Sequence, residues 1–129
     1  MFPTLLPQLD STPASDEGVL GAAEMRQLHR EFPGRGLRVV IQMFEEEGQT
    51  MLEQIASAAW RGDAEALRRA AHAMRGAVAN FGARRLEALC QEIEAGARGG
   101  DLSRVAGQLE QVREQYDRVE LALKKECLN

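Results

Sequence analysis

Apolar residues recur at intervals of three and four positions in four long segments of the chain. This spacing predicts amphipathic helices that each bury one face. The segments are Leu37–Trp60, a helix from Asp63 to about Asn80, Arg84–Ala97, and a last helix with Asp101 as its expected N-cap. No stretch alternates with the two-residue period of a half-buried strand. Four such helices joined by short breaks predict an all-α fold, an antiparallel up-down-up-down four-helix bundle.

A shorter segment, Val19–Phe32, carries a partial apolar face and is ended by Pro33-Gly34. It predicts a short additional N-terminal helix that lies across one end or flank of the bundle. The first 18 residues hold three prolines among Ser, Thr and Asp residues, which is typical of a flexible tail or linker. The expected division is therefore a tail, residues 1–18, and one helical domain, residues 19–127.

The residues expected to form the core follow from the same spacing. In chain order they are Leu37, Val40, Ile41, Phe44, Met51, Leu52, Ile55, Leu67, Ala71, Met74, Val78, Phe81, Leu86, Leu89, Cys90, Ile93, Leu102, Val105, Leu109, Val112, Tyr116, Val119 and Leu123. Gly48 interrupts the first helix face and predicts a close helix crossing. The long last stripe also resembles a coiled coil, but three other amphipathic helices need a partner, which favours a place in the bundle.

Charge and cysteine content argue against several classes of protein. The chain has 16 Lys and Arg against 20 Asp and Glu, a net charge of −4, which is unlike a general nucleic-acid binder. Its first residues lack a basic n-region, and no apolar run is long enough to span a membrane, so we expect a cytoplasmic protein. Cys90 and Cys127 lie at no metal-ligand spacing from a His, and no metal site is expected.

His72 is the candidate for chemistry because it lies off the apolar stripe of its helix. At about 100° per residue it points roughly 140° away from the stripe, toward solvent. Gly76 follows one turn later on the same side, although Gly costs about 1 kcal/mol relative to Ala inside a helix. With Ala79 it leaves a cleared patch beside the imidazole, which predicts that a large partner approaches closely. The simpler interpretation is an ordinary surface His, the one we adopt for His29.

Three arginines, Arg68, Arg69 and Arg75, flank this outer face. Cations around a single His favour an anion, and phosphate is the obvious candidate. A neutral imidazole nitrogen is a good nucleophile toward a phosphoryl group, and the cations would offset the charge of that group during transfer. The residues alone therefore leave two interpretations of His72 open, phosphoryl chemistry and an ordinary surface His.

The residues around His72 also resemble a known family. His72–Ala77 (HAMRGA), Ala79–Ala83 (ANFGA) and the run Leu86…Cys90…Ile93-Glu94 are similar to the histidine-containing phosphotransfer (HPt) domain. The likeness extends over roughly Leu20–Lys125. The chain departs from the family pattern in having Arg75 where Lys is commoner, which keeps the charge. It also has Ala77-Val78 where small hydroxyl residues are frequent.

The resemblance implies a relay step between proteins. His72 matches the residue that accepts a phosphoryl group from a receiver-domain phosphoaspartate and passes it to another receiver domain. Arg75 takes the place of the motif Lys, and Gly76 matches the motif Gly that gives clearance. The expected partners are response-regulator receiver domains and a hybrid sensor histidine kinase, with Mg²⁺ on the receiver and no cofactor on this chain. We expect a monomer that binds neither nucleic acid nor membrane.

The same comparison argues against an ATP-dependent kinase. The chain has no Gly-rich loop of the P-loop type. Ala73 also stands where the dimerising helices of histidine kinases usually place an acid. A passive phosphotransfer intermediary is therefore expected rather than an enzyme with its own kinase activity.

Val39 and Met43 are apolar, lie one turn apart and fall off the buried stripe of their helix. Two interpretations stay open. The short N-terminal helix covers both side chains, or they form a docking patch for a partner protein, and both hold if the cover is partial.

Two further hypotheses compete with the carrier. One is a binding module of the same fold that sequesters a response regulator without phosphotransfer, and the intact His72, Arg75 and Gly76 argue against it. The other is a helical scaffold in which the His is incidental, which would predict a stable homo-oligomer through the long C-terminal stripe.

Overall fold

The computed structural model describes residues 18–128, and its regular structure over this range is entirely helical. Five helices follow one another: α1 (Ala22–Glu31), α2 (Arg35–Arg61), α3 (Ala64–Ala79), α4 (Arg84–Arg98) and α5 (Val105–Leu128). The all-α prediction is confirmed. Apart from Gly18, the expected tail lies outside the described residues, and the proposed division of the chain stays a prediction.

The four long helices form a ring. Each packs against its neighbour in sequence, and α5 returns to pack against α2. Only Gly62 and Asp63 separate α2 from α3, so the chain reverses sharply there. Gly62 takes a left-handed conformation (φ 67°) that ends α2. The Asp63 carboxylate then accepts a hydrogen bond from the Ala66 N–H at 3.0 Å, capping α3 as its sequence predicts.

The core lies inside this ring and follows the apolar stripes. The α3 positions Leu67, Ala71, Met74 and Val78 have no exposed surface. The expected core positions of α4 are buried as well. Five of the expected core positions are only partly buried and pack against the core from outside. They are Val40, Met51, Leu102, Val105 and Leu109.

Gly48 marks the close crossing that the sequence predicts, between α2 and α5. A Cβ built at Gly48 would overlap the ring and hydroxyl of Tyr116, which has no exposed surface. The same hydroxyl donates a hydrogen bond to the Glu45 carbonyl oxygen at 3.2 Å. The absence of a side chain at Gly48 therefore lets Tyr116 reach the α2 backbone.

Helix α1 lies across the end of the bundle where α3 and α5 finish. The Gly21 N–H donates to the Phe81 carbonyl oxygen at 2.9 Å, just after α3. At the other end of α1, Nε2 of His29 lies 2.8 Å from a carboxylate oxygen of Glu126 on α5. Met25 is buried beneath the helix. Of the two placements expected for the short N-terminal helix, an end or a flank of the bundle, these contacts favour the end.

The last helix begins later than its pattern predicts. Asp101 does not cap it, because α5 starts only at Val105. The Asp101 carboxylate instead accepts hydrogen bonds from the backbone N–H and the hydroxyl of Ser103, at 3.0 and 2.7 Å. It therefore stabilises the turn that precedes α5. Among the described residues, none of the helices combines the length and apolar character that a membrane span needs.

Candidate functional site

Helix α3 presents His72 to solvent. Its side chain is 61% exposed, while Ala71 beside it is fully buried. The buried stripe fixes the rotation of α3 against the bundle, so the imidazole is held on the outer face at a defined position. This is the orientation expected from the helical spacing.

A buried carboxylate lies directly behind the imidazole. Glu94 on α4 has a side chain only 4% exposed, and its Oε2 lies 3.0 Å from Nδ1 of His72. Arg75 Nε donates to Oε1 of the same carboxylate at 2.9 Å, and Arg98 Nη2 donates to Oε2 at 3.0 Å. We call these four residues the Glu94 cluster. These three partners offset the free-energy cost of removing the Glu94 carboxylate from water.

Glu94 is ionised at neutral pH. Burial alone would raise the pKa of its carboxyl group, because it disfavours the charged form. The hydrogen bond from His72 and the positive charge of Arg75 act in the opposite direction, and the pKa of Glu94 ends below its ordinary value of 4.5. The carboxylate is therefore available as a hydrogen-bond acceptor.

The ionised carboxylate assigns the tautomer of His72. An ionised carboxylate can only accept, so Nδ1 of His72 carries the proton that lies between the two groups. In the neutral ring, Nε2 then has its lone pair on the exposed side, and the hydrogen bonds of His72 within residues 18–128 involve Nδ1 instead. Arg75 Nη2 lies 3.2 Å from Nδ1. Both groups are donors in this tautomer, so that contact places positive charge beside the ring without a hydrogen bond.

Arg68 and Arg69 have a different carboxylate partner from Arg75. Arg68 makes two hydrogen bonds with the Glu65 carboxylate, at 3.1 and 2.7 Å. Arg69 lies 3.6 Å from the same carboxylate. Both are therefore engaged by Glu65 near the start of α3, while Arg75 is bonded to Glu94.

The backbone beside His72 is open on its outer side. A Cβ built at Gly76 would meet no atom within 4 Å, so helix packing does not account for this glycine. Ala79 is half-buried and lines a groove that begins one turn farther on. A clear surface therefore extends from His72 toward the C-terminal end of α3.

Val39 and Met43 remain on the surface. Their exposed fractions are 54% and 53%, so α1 does not cover them. Val40 beside them faces the groove near Ala79 instead. Of the interpretations left open by the sequence, complete cover by α1 is excluded in the structure, and the docking role stays a prediction.

Sequence reasoning did not assign a role to Glu94 or to Arg98. Glu94 directly follows the buried Ile93 and lies one turn after Cys90, so a charged residue occupies the inward side of α4. Arg98 comes four residues after Glu94, the spacing at which oppositely charged side chains meet on a helix. An acid on the apolar side of α4, four residues before a cation, was the sequence signal that could have pointed to Glu94. The contact between Glu94 and His72 could not be found in this way, because it depends on how α3 packs on α4.

Comparison with known proteins agrees with this geometry. The Hpt domain family model matches residues 39–122, about two thirds of the chain, including His72 and the rest of the Glu94 cluster. The chain belongs to the Hpt domain family. Its role is therefore in phosphorelay histidine phosphotransfer, and receiver domains and kinases are the class of partner with which such domains act.

A solved structure supports the same assignment. The Hpt domain described here is similar to the crystal structure of histidine-containing phosphotransfer protein B (HptB) from Pseudomonas aeruginosa PAO1, with a TM-score of 0.81 and 28% sequence identity. The match covers 87% of this chain and 96% of that one. A comparison with curated proteins finds no match. Within residues 18–128, no group of three or more His, Cys, Asp and Glu side chains is placed to hold a metal ion.

Proposed function

We propose that this Hpt domain accepts a phosphoryl group on Nε2 of His72 from the phosphoaspartate of a receiver domain and passes it to a second receiver domain. One observation carries the proposal. The imidazole is 61% exposed, yet its inner nitrogen is bonded to a carboxylate that is only 4% exposed. A fixed tautomer and an outward lone pair are what a nucleophile needs when its substrate is another protein.

The transfer balances as a displacement at phosphorus. The Nε2 lone pair attacks the phosphorus of the acyl phosphate, an N–P bond forms, and the P–O bond to the aspartate breaks. The aspartate carboxylate leaves with the electron pair. Nδ1 keeps its proton, which remains hydrogen-bonded to the Glu94 carboxylate. The phosphorylated ring is cationic, and this adjacent carboxylate stabilises it. Attack by a second receiver's aspartate on the same phosphorus reverses these bond changes.

Arg75 and Arg98 supply positive charge at the site. Both guanidinium groups are bonded to Glu94 through one nitrogen, and their side chains are 30% and 63% exposed. Their remaining N–H groups are available to the oxygens of a phosphoryl group on Nε2. Arg68 and Arg69 act at longer range, since Glu65 engages both.

The surface beside His72 accommodates the receiver. Gly76 and Ala79 leave room for the loops around its aspartate, and the exposed Val39 and Met43 on α2 provide apolar docking area. The receiver brings the Mg²⁺ that its own carboxylates hold, and this chain binds no cofactor. We propose a monomeric carrier without ATP-dependent kinase activity, acting between a hybrid sensor histidine kinase and a response regulator.

The decisive test is transfer from a phosphorylated receiver in the presence of Mg²⁺. Wild type, His72→Gln and the matched control His29→Gln are each incubated with labelled receiver. We expect acid-labile, base-stable phosphate on wild type and on His29→Gln, and none on His72→Gln. Because His72 is exposed, its replacement should leave the helical circular-dichroism spectrum unchanged. Equal labelling of wild type and His72→Gln would contradict the proposal.

A further inference from the structure

A pocket of about 350 Å³ opens at one end of the bundle, between α1, the start of α2 and the end of α5. We call it the end pocket. His29 lines it from α1, Arg35 and Arg38 line it from the first residues of α2, and Glu126 lines it from α5. No residue of the Glu94 cluster takes part in it. Its volume lies in the range of small-molecule sites in proteins.

Two guanidinium groups belong to the end pocket. Arg35 and Arg38 are exposed and lie three residues apart, a spacing at which side chains on a helix are neighbours. The ion pair that borders the pocket joins His29 to Glu126 and leaves both arginines out. Neighbouring guanidinium groups offer several N–H donors in fixed planes, which is the arrangement that suits the oxygens of a phosphate group.

The carboxylate of the end pocket is already engaged. Among the described residues that line the pocket, Glu126 is the only acid, and its Oε1 lies 2.8 Å from Nε2 of His29. This contact offsets part of the repulsion between Glu126 and an incoming anion. Two cations against one compensated carboxylate leave the pocket with a positive potential.

The surface around the end pocket is cationic as well. At about 100° per residue, Arg26 and Arg30 lie on the same flank of α1 as His29. Glu24 and Glu31 lie on the opposite flank, where they line a separate groove. The chain as a whole has a net charge of −4, so this end of the bundle differs in sign from the average of the molecule. Such a local field draws anions toward the pocket.

The inner side of the end pocket is apolar. Leu37 is only 4% exposed, and Cys127 beside it is partly buried. A bare inorganic ion would make no use of this side. A molecule that joins a phosphate group to an apolar or aromatic body would contact the arginines with one part and Leu37 with the other.

We propose that the end pocket is a binding site for an organic phosphate of about nucleotide size. Arg35 and Arg38 hold the phosphate group, and the body of the ligand packs against Leu37. The site is separate from the phosphotransfer site, so the proposal does not depend on the proposed function. The ligand contacts α1, α2 and α5 together, and it adds to the contact between His29 and Glu126 in holding α1 on the bundle.

The test compares two pairs of substitutions that change the net charge equally. Arg35→Gln/Arg38→Gln removes both cations from the end pocket, and Arg104→Gln/Arg113→Gln removes two exposed cations elsewhere. The full-length chain is titrated calorimetrically with ADP and, separately, with pyrophosphate. We expect saturable binding of ADP to wild type, a Kd at least about tenfold higher for the pocket pair, and a change of less than about twofold for the control pair.

Two further readouts locate the ligand. The backbone amide resonances that shift on addition of ADP should belong to residues 34–38 and 126–127. ADP should also raise the Tm of wild type and leave that of Arg35→Gln/Arg38→Gln unchanged, because a ligand stabilises only the state that binds it. Tighter binding of ADP than of pyrophosphate would support the contact with Leu37. Equal affinities would overturn it, since the phosphate groups alone would then be recognised.

Three results would overturn the site itself. The first is equal weakening of binding by the two pairs, because loss of net charge alone would then explain it. The second is the absence of saturable binding of either probe up to about 10 mM. The third is binding that appears only after deletion of residues 1–17, since the acids Asp10, Asp16 and Glu17 of the chain itself would then be the occupants.

Discussion

Nδ1 of His72 and Oε2 of Glu94 lie 3.0 Å apart across the contact between α3 and α4, with the imidazole exposed and the carboxylate buried. The pairing connects the outer surface of the bundle to its interior. It fixes which ring nitrogen carries the proton and which is presented to a partner. Arg75 and Arg98 then hold the carboxylate from either side, so the orientation of the imidazole depends on two helices at once.

Removing the Glu94 carboxylate should slow phosphoryl transfer without abolishing it. Glu94 acts through His72, so it is a positioning residue. We expect Glu94→Ala to lower the rate of transfer from a phosphorylated receiver roughly a hundredfold, since the nucleophile loses its fixed orientation. Glu94→Gln keeps a carbonyl acceptor for the Nδ1 proton and should recover much of that rate. Rapid-quench assays of transfer give both values.

A second readout separates positioning from a merely structural effect. The ¹⁵N chemical shifts of the His72 ring report its tautomer. Wild type should show Nδ1 protonated, Glu94→Gln should largely retain that tautomer, and Glu94→Ala should show a mixture. An unchanged tautomer in Glu94→Ala would contradict the positioning role.

Acid should remove the stabilising contribution of Glu94. Its pKa is depressed in the folded protein, so the contribution is fully present above the unfolded value of 4.5 and is lost as pH falls through the folded pKa. We expect Glu94→Gln to be less stable than wild type by about 1–3 kcal/mol at pH 7, because two arginines lose their ionic partner. The difference should narrow as the pH is lowered from 7 through 4.5 and further down, past the depressed pKa of Glu94. Urea unfolding of both proteins across this range measures it, and a constant difference would contradict the assignment.

Two glycines should respond in opposite ways to the same substitution. Gly48→Ala should destabilise the bundle by about 1–3 kcal/mol, because the new methyl group overlaps the buried Tyr116 ring. Gly76→Ala should be neutral or stabilise by up to about 1 kcal/mol, since its Cβ enters open space and Ala favours the helix. Urea denaturation of the two variants beside wild type makes the comparison.

A bulky residue at Gly76 should block the partner without unfolding the chain. Gly76→Leu places a large side chain on the surface one turn from His72, where we propose that the receiver docks. We expect receiver transfer to fall at least tenfold while stability stays near that of wild type. The matched control is Gly107→Leu, at an open position of α5 away from the site. If both variants accept phosphate at the wild-type rate, the clear surface has no part in docking.

The two cysteines should differ in reactivity. Burial raises the pKa of the Cys90 thiol to about 12, and its side chain is inaccessible. Cys127 is partly exposed near the end of α5. We expect one thiol per native chain to react rapidly with a disulfide reagent at pH 8, and the second only with global unfolding. Cys127→Ser should abolish the fast phase, and a fast phase that persists in this variant would contradict the burial of Cys90.

The sequence by itself determined the four long helices, most of their buried positions and the outward orientation of the candidate residue His72. Spacing of three and four placed Leu67, Met74 and Val78 inward and His72 outward, because the rotation of a regular helix depends only on the number of residues. The Gly62-Asp63 break likewise followed from local backbone preferences. These features are local, and short segments of sequence are enough to specify them.

Tertiary packing decided what surrounds His72. Glu94 lies 22 positions from His72 in the chain, and no periodicity connects them; they meet because α3 and α4 pack closely. Helix position predicts Arg68 and Arg69 at the phosphate site, and their pairing with Glu65 was visible only in the assembled helix; their phosphate-supporting role stays a prediction. Whether α1 covers Val39 and Met43 depended in the same way on where α1 docks. Side-chain partners and helix docking are set by contacts between distant segments, which only the assembled bundle defines.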